Sequence, residues 1–143
     1  MIVRPAAAED RIGVVSLLKA RHAEEAHRFP FSALHIDAMF SRHFEQPFHF
    51  CHVLAGERVE GVLMAYAYEH PRGYGLCAAE SDFYIRKAAR GRHALKMLDA
   101  YEKWAANLGC KAINMASLES FDVSALYRRK GFAPVETHFI KFL

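Results

Sequence analysis

Residues 84–94 read Tyr84-Ile85-Arg86-Lys87-Ala88-Ala89-Arg90-Gly91-Arg92-His93-Ala94, and they join a predicted strand to the longest predicted helix. This junction combines four cationic side chains with one glycine. The amides of a helix's first turn and its positive dipole end attract anions, and a glycine lets the backbone approach them closely. The stretch therefore predicts a phosphate-binding turn. The alternative, on these residues alone, is a solvated basic turn.

The elements on either side of this turn have clear periodicity. After it, apolar side chains recur at helical spacing up to Gly109, a residue type that commonly ends a helix. Before it, residues 76–85 read as a strand, and strict alternation puts Glu80, Asp82 and Tyr84 on one face. We therefore expect the two carboxylates to point the same way.

The rest of the chain predicts a mixed α/β sheet. Two amphipathic stretches predict helices in the first third of the chain, and Ser32 suits the N-cap of the second. Residues 48–54 and 59–68 predict an antiparallel hairpin. The predicted order is a strand, two helices, three strands, a long helix, a strand, a short helix capped by Asp122, and a final strand over residues 135–142.

Length and composition indicate one globular domain over residues 1–143. Hydrophobic residues make up 52% and charged residues 24% of the chain, which is typical of a globular protein. No apolar run approaches the roughly 18 residues of a membrane span, and the N-terminus does not read as a signal segment. Three cysteines without close spacing read as reduced thiols. We therefore expect a cytoplasmic protein without membrane partners.

Neither a metal site nor a nucleic-acid interface is favoured. The closest histidines, His43, His49 and His52, lack a metal-site spacing or a nearby acidic partner. The formal net charge of +3 is modest, so it favours an anionic ligand without indicating nucleic acid. The basic run 128–130 falls in a predicted final helical turn, where cations are expected because of the helix dipole.

The turn and three later segments resemble the GNAT superfamily of N-acetyltransferases. That family's strand-loop-helix motif usually reads Arg/Gln-x-x-Gly-x-Gly/Ala, and Arg90-Gly91 matches its commonest start. His93 and Leu95 stand where two glycines are usual, so the turn is closer to a less glycine-rich branch common in phage and prophage genomes. Residues 100–110 resemble the family's helix ending and residues 139–143 its closing segment, while Leu126-Tyr127-Arg128-Arg129-Lys130-Gly131-Phe132 resembles its Leu-Tyr-x-x-x-Gly-Phe signature.

The resemblance implies a central, mostly antiparallel sheet flanked by about four helices, and transfer of an acetyl group from acetyl-CoA to a primary amine. The acceptor would be an amine-bearing small molecule or peptide, and a homodimer is one assembly found in the family. The implied cofactor-binding residues are Phe83, Tyr84, Ile85, Arg90, Gly91, Arg92, His93, Ala94 and Leu95. A non-catalytic acyl-CoA-binding or regulatory domain of the same fold is the alternative.

Amine attack on a thioester needs a proton acceptor and an acid for the departing thiolate. Tyr127 aligns with the family's catalytic tyrosine, and a phenol can supply that proton; the alternative is a packing tyrosine. Glu80 is the candidate base and Asp82 the alternative to it, although either could be a polar strand residue only. Glu24 and Glu25 could attract a cationic amine or form no more than a charged helix end, and His138 is a further candidate for the acceptor pocket.

Overall fold

The computed structural model describes residues 1–26 and 28–143, which contain one five-stranded sheet and four α-helices. The strands are β1 (Ile2–Pro5), β2 (His49–Ala55), β3 (Val59–Glu69), β4 (Leu76–Ile85) and β5 (Ala112–Asn114). The helices are α1 (Arg11–Glu24), α2 (Ala33–Glu45), α3 (Arg92–Leu108) and α4 (Ser124–Arg129). The strand order is β1-β2-β3-β4-β5, and all pairs are antiparallel except β4–β5. The predicted fold class is confirmed.

Helices cover both faces of the sheet. One cluster, on the face of α1 and α2, includes Val14, Leu17, Phe40, Val53 and Val62. The opposite cluster, on the face of α3, includes Phe50, Leu63, Met97, Leu98 and Tyr101. Because both faces are buried, β3 is apolar over consecutive positions instead of alternating with polar residues.

Local signals end the helices where the sequence predicts. The Ser32 side chain accepts a hydrogen bond of 3.2 Å from the backbone N–H of His35 and caps α2. Gly109 has a φ of 86°, the left-handed conformation that ends α3. The buried Tyr101 hydroxyl donates to the Asn114 carbonyl at 3.3 Å, which ties α3 to β5 beside the site.

The predicted final strand is wrong. Residues 132–143, all of them described, form neither helix nor strand. Val135 is 83% exposed and Phe139 is 94% exposed, so the alternating pattern buries no apolar face. Alternation favours a strand only where a partner edge and a core face are available to it.

The remaining findings concern the short helix, the thiols and the membrane. α4 begins one residue later than predicted, so its N-cap is Val123 and not Asp122; Asp122, one residue before the cap, accepts from the Ser124 N–H at 2.9 Å. Cys51 and Cys77 are buried, Cys110 is half-buried, and all three are free thiols, as expected. Within the described ranges, no helix has the length and apolarity needed to cross a membrane.

Candidate active site

The β3–β4 ladder is interrupted in the middle of β4. Met64 pairs with Asp82 and Ala65 pairs with Glu80, so Ser81 is an extra residue with no partner position. The Ser81 hydroxyl donates to the Met64 carbonyl at 3.3 Å. A bulge of this kind reverses the alternation of side chains along the strand beyond it.

This bulge overturns the prediction that the two carboxylates share a face. Ala65, the partner of Glu80, belongs to the core cluster on the α3 side. Met64, the partner of Asp82, belongs to the cluster on the side of α1 and α2. Tyr84 lies on that second side as well. Glu80 and Asp82 therefore face opposite sides of the sheet.

A cleft of about 380 Å³ opens on the α3 side and contains Glu80. It extends from β4 and Tyr127 to the turn before α3. Its lining includes eight of the nine predicted cofactor-binding residues, namely Phe83, Tyr84, Ile85, Arg90, Gly91, Arg92, Ala94 and Leu95. His93 is the exception, because it does not line the cleft. We call this space the α3-side cleft.

Glu80 is a largely buried carboxylate in this cleft. Its Oε1 accepts a hydrogen bond of 3.2 Å from the Ala116 N–H, and its buried Oε2 has no hydrogen-bond partner among the described residues. Burial raises the pKa of Glu80 to about 7, although the nearby Arg21 charge opposes the shift. Glu80 can therefore exchange a proton close to neutral pH.

Tyr127 reaches the same cleft from α4. Its hydroxyl donates to the Ala116 carbonyl at 2.9 Å, and the residue is only 7% exposed. Burial raises the pKa of Tyr127, and the Glu80 charge adds to the shift. Glu80 and Tyr127 thus bind the two backbone polar groups of the same residue, Ala116, which brings two of the three predicted catalytic residues to one end of the cleft.

A smaller cleft of about 210 Å³ lies on the other side of β4, between the strand and the first two helices. It contains Asp82, and its lining shares Arg21 and Glu25 with the α3-side cleft. Arg21 donates at 2.8 Å to Asp82 and at 2.8 Å to Glu25. We call this space the α1-side cleft. Of the three residues predicted to bind the acceptor substrate, Glu25 lies in its lining.

The basic turn has the backbone that a phosphate-binding loop needs. Gly91 precedes α3 with φ 115° and ψ −133°, a conformation essentially limited to glycine. A Cβ at this position would meet no atom within 4 Å, so the backbone angles require glycine and crowding does not. The turn presents Arg90 and Arg92 to the α3-side cleft beside the first turn of the helix.

Two other residues predicted to bind the acceptor substrate lie outside both clefts. Glu24 contacts Arg90 and Tyr84 and lines neither cleft. His138 is exposed, pairs with Glu136 at 3.2 Å and lines neither cleft. In the described chain, no group of three or more His, Cys, Asp or Glu side chains could hold a metal ion.

Sequence reasoning missed Arg21. A signal for it exists, because Arg21 continues the buried stripe of α1 formed by Val14, Leu17 and Leu18. A cation on an apolar stripe needs a buried partner, which points to carboxylates across the interface. The Ser81 bulge, by contrast, has no evident signal in the sequence.

The chain is similar to known proteins in sequence and in structure. The sequence model described as the acetyltransferase (GNAT) family matches residues 15–132. A predicted acetyltransferase from Clostridium acetobutylicum, solved with acetyl-CoA, is similar in structure with TM-score 0.80 and 15% identity over 99% of this chain and 95% of that one. Glucosamine-6-phosphate N-acetyltransferase from Arabidopsis thaliana has TM-score 0.77 and 14% identity, covering 99% and 97%.

An aminoglycoside 6'-N-acetyltransferase from Acinetobacter haemolyticus, solved without ligand, has TM-score 0.76 and 16% identity, covering 100% of this chain and 99% of its own. No curated protein matches the chain significantly by sequence. At these identities the structural likeness establishes the fold, and the family match accounts for most of the chain.

Proposed function

Because the chain belongs to the acetyltransferase (GNAT) family, we propose that it transfers the acetyl group of acetyl-CoA to a primary amine by direct attack on the thioester. The observation that carries the proposal is the position of Glu80. A carboxyl group with a pKa of about 7 lies in the same cleft as the basic turn before α3. A proton acceptor and an anion-binding turn are two of the groups that this reaction requires in one cleft.

The residues of the α3-side cleft fit the two ends of acetyl-CoA. The phosphates would bind at Gly91, Arg90 and Arg92, where fixed positive charge and the start of α3 coincide. The pantetheine arm would follow residues 83–85 of β4. By the family resemblance, the backbone amides of these residues would donate hydrogen bonds to the acyl carbonyl. The thioester would then lie near Glu80 and Tyr127.

The proton transfers follow from this placement. An amine that is an ammonium ion in solution first loses one proton to solvent. Glu80 then accepts the second proton from the nitrogen as the new N–C bond forms, since its pKa of about 7 leaves it half ionised near neutrality. The C–S bond breaks, the departing thiolate takes a proton from the Tyr127 hydroxyl, and solvent returns a proton to the phenolate. That hydroxyl now donates to the Ala116 carbonyl, so the transfer requires it to turn from this acceptor toward the sulfur.

The acceptor amine would enter through the α1-side cleft. This cleft shares the side chains of Arg21 and Glu25 with the α3-side cleft, and the described part of its lining carries two carboxylates, Asp82 and Glu25, against one arginine cation, Arg21. An ammonium group is attracted by carboxylates that line its entry. Asp82 is thus assigned to the approach of the amine, whereas Glu80 is assigned to its deprotonation.

The proposed partners are acetyl-CoA and an amine-bearing small molecule or peptide, with the reaction in the cytoplasm and with no nucleic acid or membrane involved. Free thiols suit a reducing compartment. Two cations outside the proposed phosphate site have carboxylate partners: Arg86 pairs with Glu60, and Lys130 pairs with Asp99. The homodimer implied by the family resemblance stays a prediction for measurement of the molar mass in solution.

The first experiment measures the unfolding temperature with acetyl-CoA and with free coenzyme A, followed by an amine screen that detects the released thiol. A ligand that binds only the native state raises its stability. We expect a rise with both ligands and turnover with at least one cationic amine. Binding without turnover of any amine would favour the non-catalytic alternative, and absence of binding would contradict the proposal.

A charge reversal tests the phosphate turn. Arg90→Glu is expected to weaken coenzyme A binding by more than about tenfold, because it replaces attraction of the phosphates with repulsion. Lys103→Glu, which makes the same charge change at an exposed position of α3, is the matched control. Unchanged affinity of Arg90→Glu in calorimetry would remove Arg90 from the proposed site.

A further inference from the structure

Arg90, the arginine that would bind the phosphates, has a carboxylate partner within the protein. Its Nη2 donates to Oε1 of Glu24 at 3.3 Å, and its Nε donates to the Ile85 carbonyl at 2.8 Å. The guanidinium carbon lies 5.6 Å from the centre of the Tyr84 ring and 5.0 Å from that of Phe121. Hydrogen bonds and ring contacts therefore hold Arg90 in place on the side of Glu24.

Glu24 is itself held in this position. It is the last residue of α1, and its Oε2 accepts a hydrogen bond from the Tyr84 hydroxyl. This hydrogen bond is the main cause of a lowered Glu24 pKa, and the Arg90 charge lowers it further. The carboxylate is therefore ionised at neutral pH and carries a negative charge at the edge of the proposed phosphate site.

We propose that Glu24 competes with the phosphates of coenzyme A for Arg90, and thereby lowers the affinity of the α3-side cleft for both acetyl-CoA and the product. A phosphate that binds Nη2 of Arg90 breaks the ion pair of this nitrogen with Glu24. The free energy of that pair is lost from binding, because Arg90 already has an anionic partner before the ligand arrives. This inference rests on the proposed function and assigns Glu24 to the cofactor side of the site.

The competition has a kinetic consequence. Among related complexes, differences in affinity arise mostly in the dissociation rate. An internal carboxylate that rebinds Arg90 therefore favours departure of coenzyme A after the acetyl group has been transferred. In enzymes whose turnover is limited by product release, such a contact increases the turnover rate.

Titration calorimetry with coenzyme A tests the inference. Glu24→Gln keeps one oxygen, which can accept from Tyr84 or from Arg90, and it removes the charge. We expect its dissociation constant for coenzyme A to fall about threefold to fivefold at low ionic strength, as for a partly exposed ion pair, and the gain to shrink in high salt. Glu45→Gln, at an exposed position at the end of α2, makes the same charge change outside the cleft and should leave the constant unchanged.

A double-mutant cycle with Arg90→Gln separates competition for Arg90 from general repulsion. In the Arg90→Gln background, the gain from Glu24→Gln should disappear. An undiminished gain in that background, or equal affinity of wild type and Glu24→Gln, would overturn the inference and leave the proposed function intact. Absence of coenzyme A binding to wild type and to all variants would overturn both.

Discussion

The two sides of the bulge in β4 carry similar side chains in different surroundings. Glu80 lies in the α3-side cleft with a pKa raised by burial to about 7. Asp82, two residues further on, lies in the α1-side cleft and pairs with Arg21 at 2.8 Å. One extra residue between them thus places a carboxyl group of raised pKa on one side of the strand and an ion-paired carboxylate on the other. The different roles that we propose for the two carboxylates follow from this change of side.

The largest expected effect separates these roles in catalysis. Glu80→Gln should lower kcat by about 100-fold, because it removes the proton acceptor while preserving shape. Asp82→Asn should lower kcat by about tenfold or less and mainly raise KM for the amine. Steady-state thiol release with the best amine from the screen measures both. Equal losses of kcat in the two variants would break the comparison.

The pH profile of kcat sharpens the same comparison. Glu80 must be ionised to accept a proton, so activity should rise with pH and the slope should change near pH 7. Two pH units below this point, the ionised fraction and its contribution to kcat fall about 100-fold. The change of slope should persist in Asp82→Asn and be lost in Glu80→Gln. A profile without a change of slope near pH 7 in the wild type would argue against Glu80 as the base.

A variant of Tyr127 tests whether the departing thiolate lies in the α3-side cleft, beside Glu80 and Tyr127. Tyr127→Phe should lower kcat by about tenfold with little change in coenzyme A affinity, because the ring stays and only the proton donor is lost. The raised pKa of this phenol makes it a weaker acid, which limits the expected loss. An unchanged kcat would return Tyr127 to a packing role on α4.

A further effect concerns the free energy of unfolding. The Glu80 pKa is raised in the folded state from 4.5 to about 7. The folded state therefore binds more protons than the unfolded state between these pH values, and the free energy of unfolding falls as the pH rises through this range. At pH 8 the free energy of unfolding of Glu80→Gln should therefore be roughly 1 to 3 kcal/mol higher than that of the wild type. The difference should vanish below about pH 4.5, where Glu80 is protonated in both states.

At the same pH of 8, Asp82→Asn should lower the free energy of unfolding by roughly 1 to 3 kcal/mol, because Arg21 loses an ionised partner in a largely buried site. Urea unfolding at several pH values measures both variants. Changes of the same sign at pH 8 would contradict the difference drawn between Glu80 and Asp82.

Most of the fold follows from local signals that act over a few residues. Ser32 and Gly109 mark helix ends by their own side chain or backbone freedom, and the stripe of α3 reflects direct burial against the sheet. The prediction of a final strand over residues 135–142 also rests on a local pattern, the alternation of side chains. Its failure shows that a strand also depends on a partner edge, which a local pattern does not contain.

The site was less predictable, because its key geometry depends on pairing between distant segments. The bulge exists only relative to β3, so strict alternation in β4 gave the wrong faces for Asp82 and Tyr84. Likewise, the environment of Glu80 depends on Ala116 and Arg21, which lie far from it in sequence. The residues of the basic turn were predictable because they are consecutive in the chain.

The free cysteines also determine how the chain responds to chemical probes. Cys51 and Cys77 are buried, and burial raises the pKa of Cys51 and of the half-buried Cys110. Thiolates react with disulfide reagents and protonated, inaccessible thiols do not. Such a reagent added to the folded protein is therefore kept from Cys51 and Cys77 and reacts slowly with Cys110, so it mainly titrates small-molecule thiol in the surrounding solution. After denaturation the same reagent gains access to all three cysteines of the chain, so a single colour reaction can count either catalytic events or unfolded molecules.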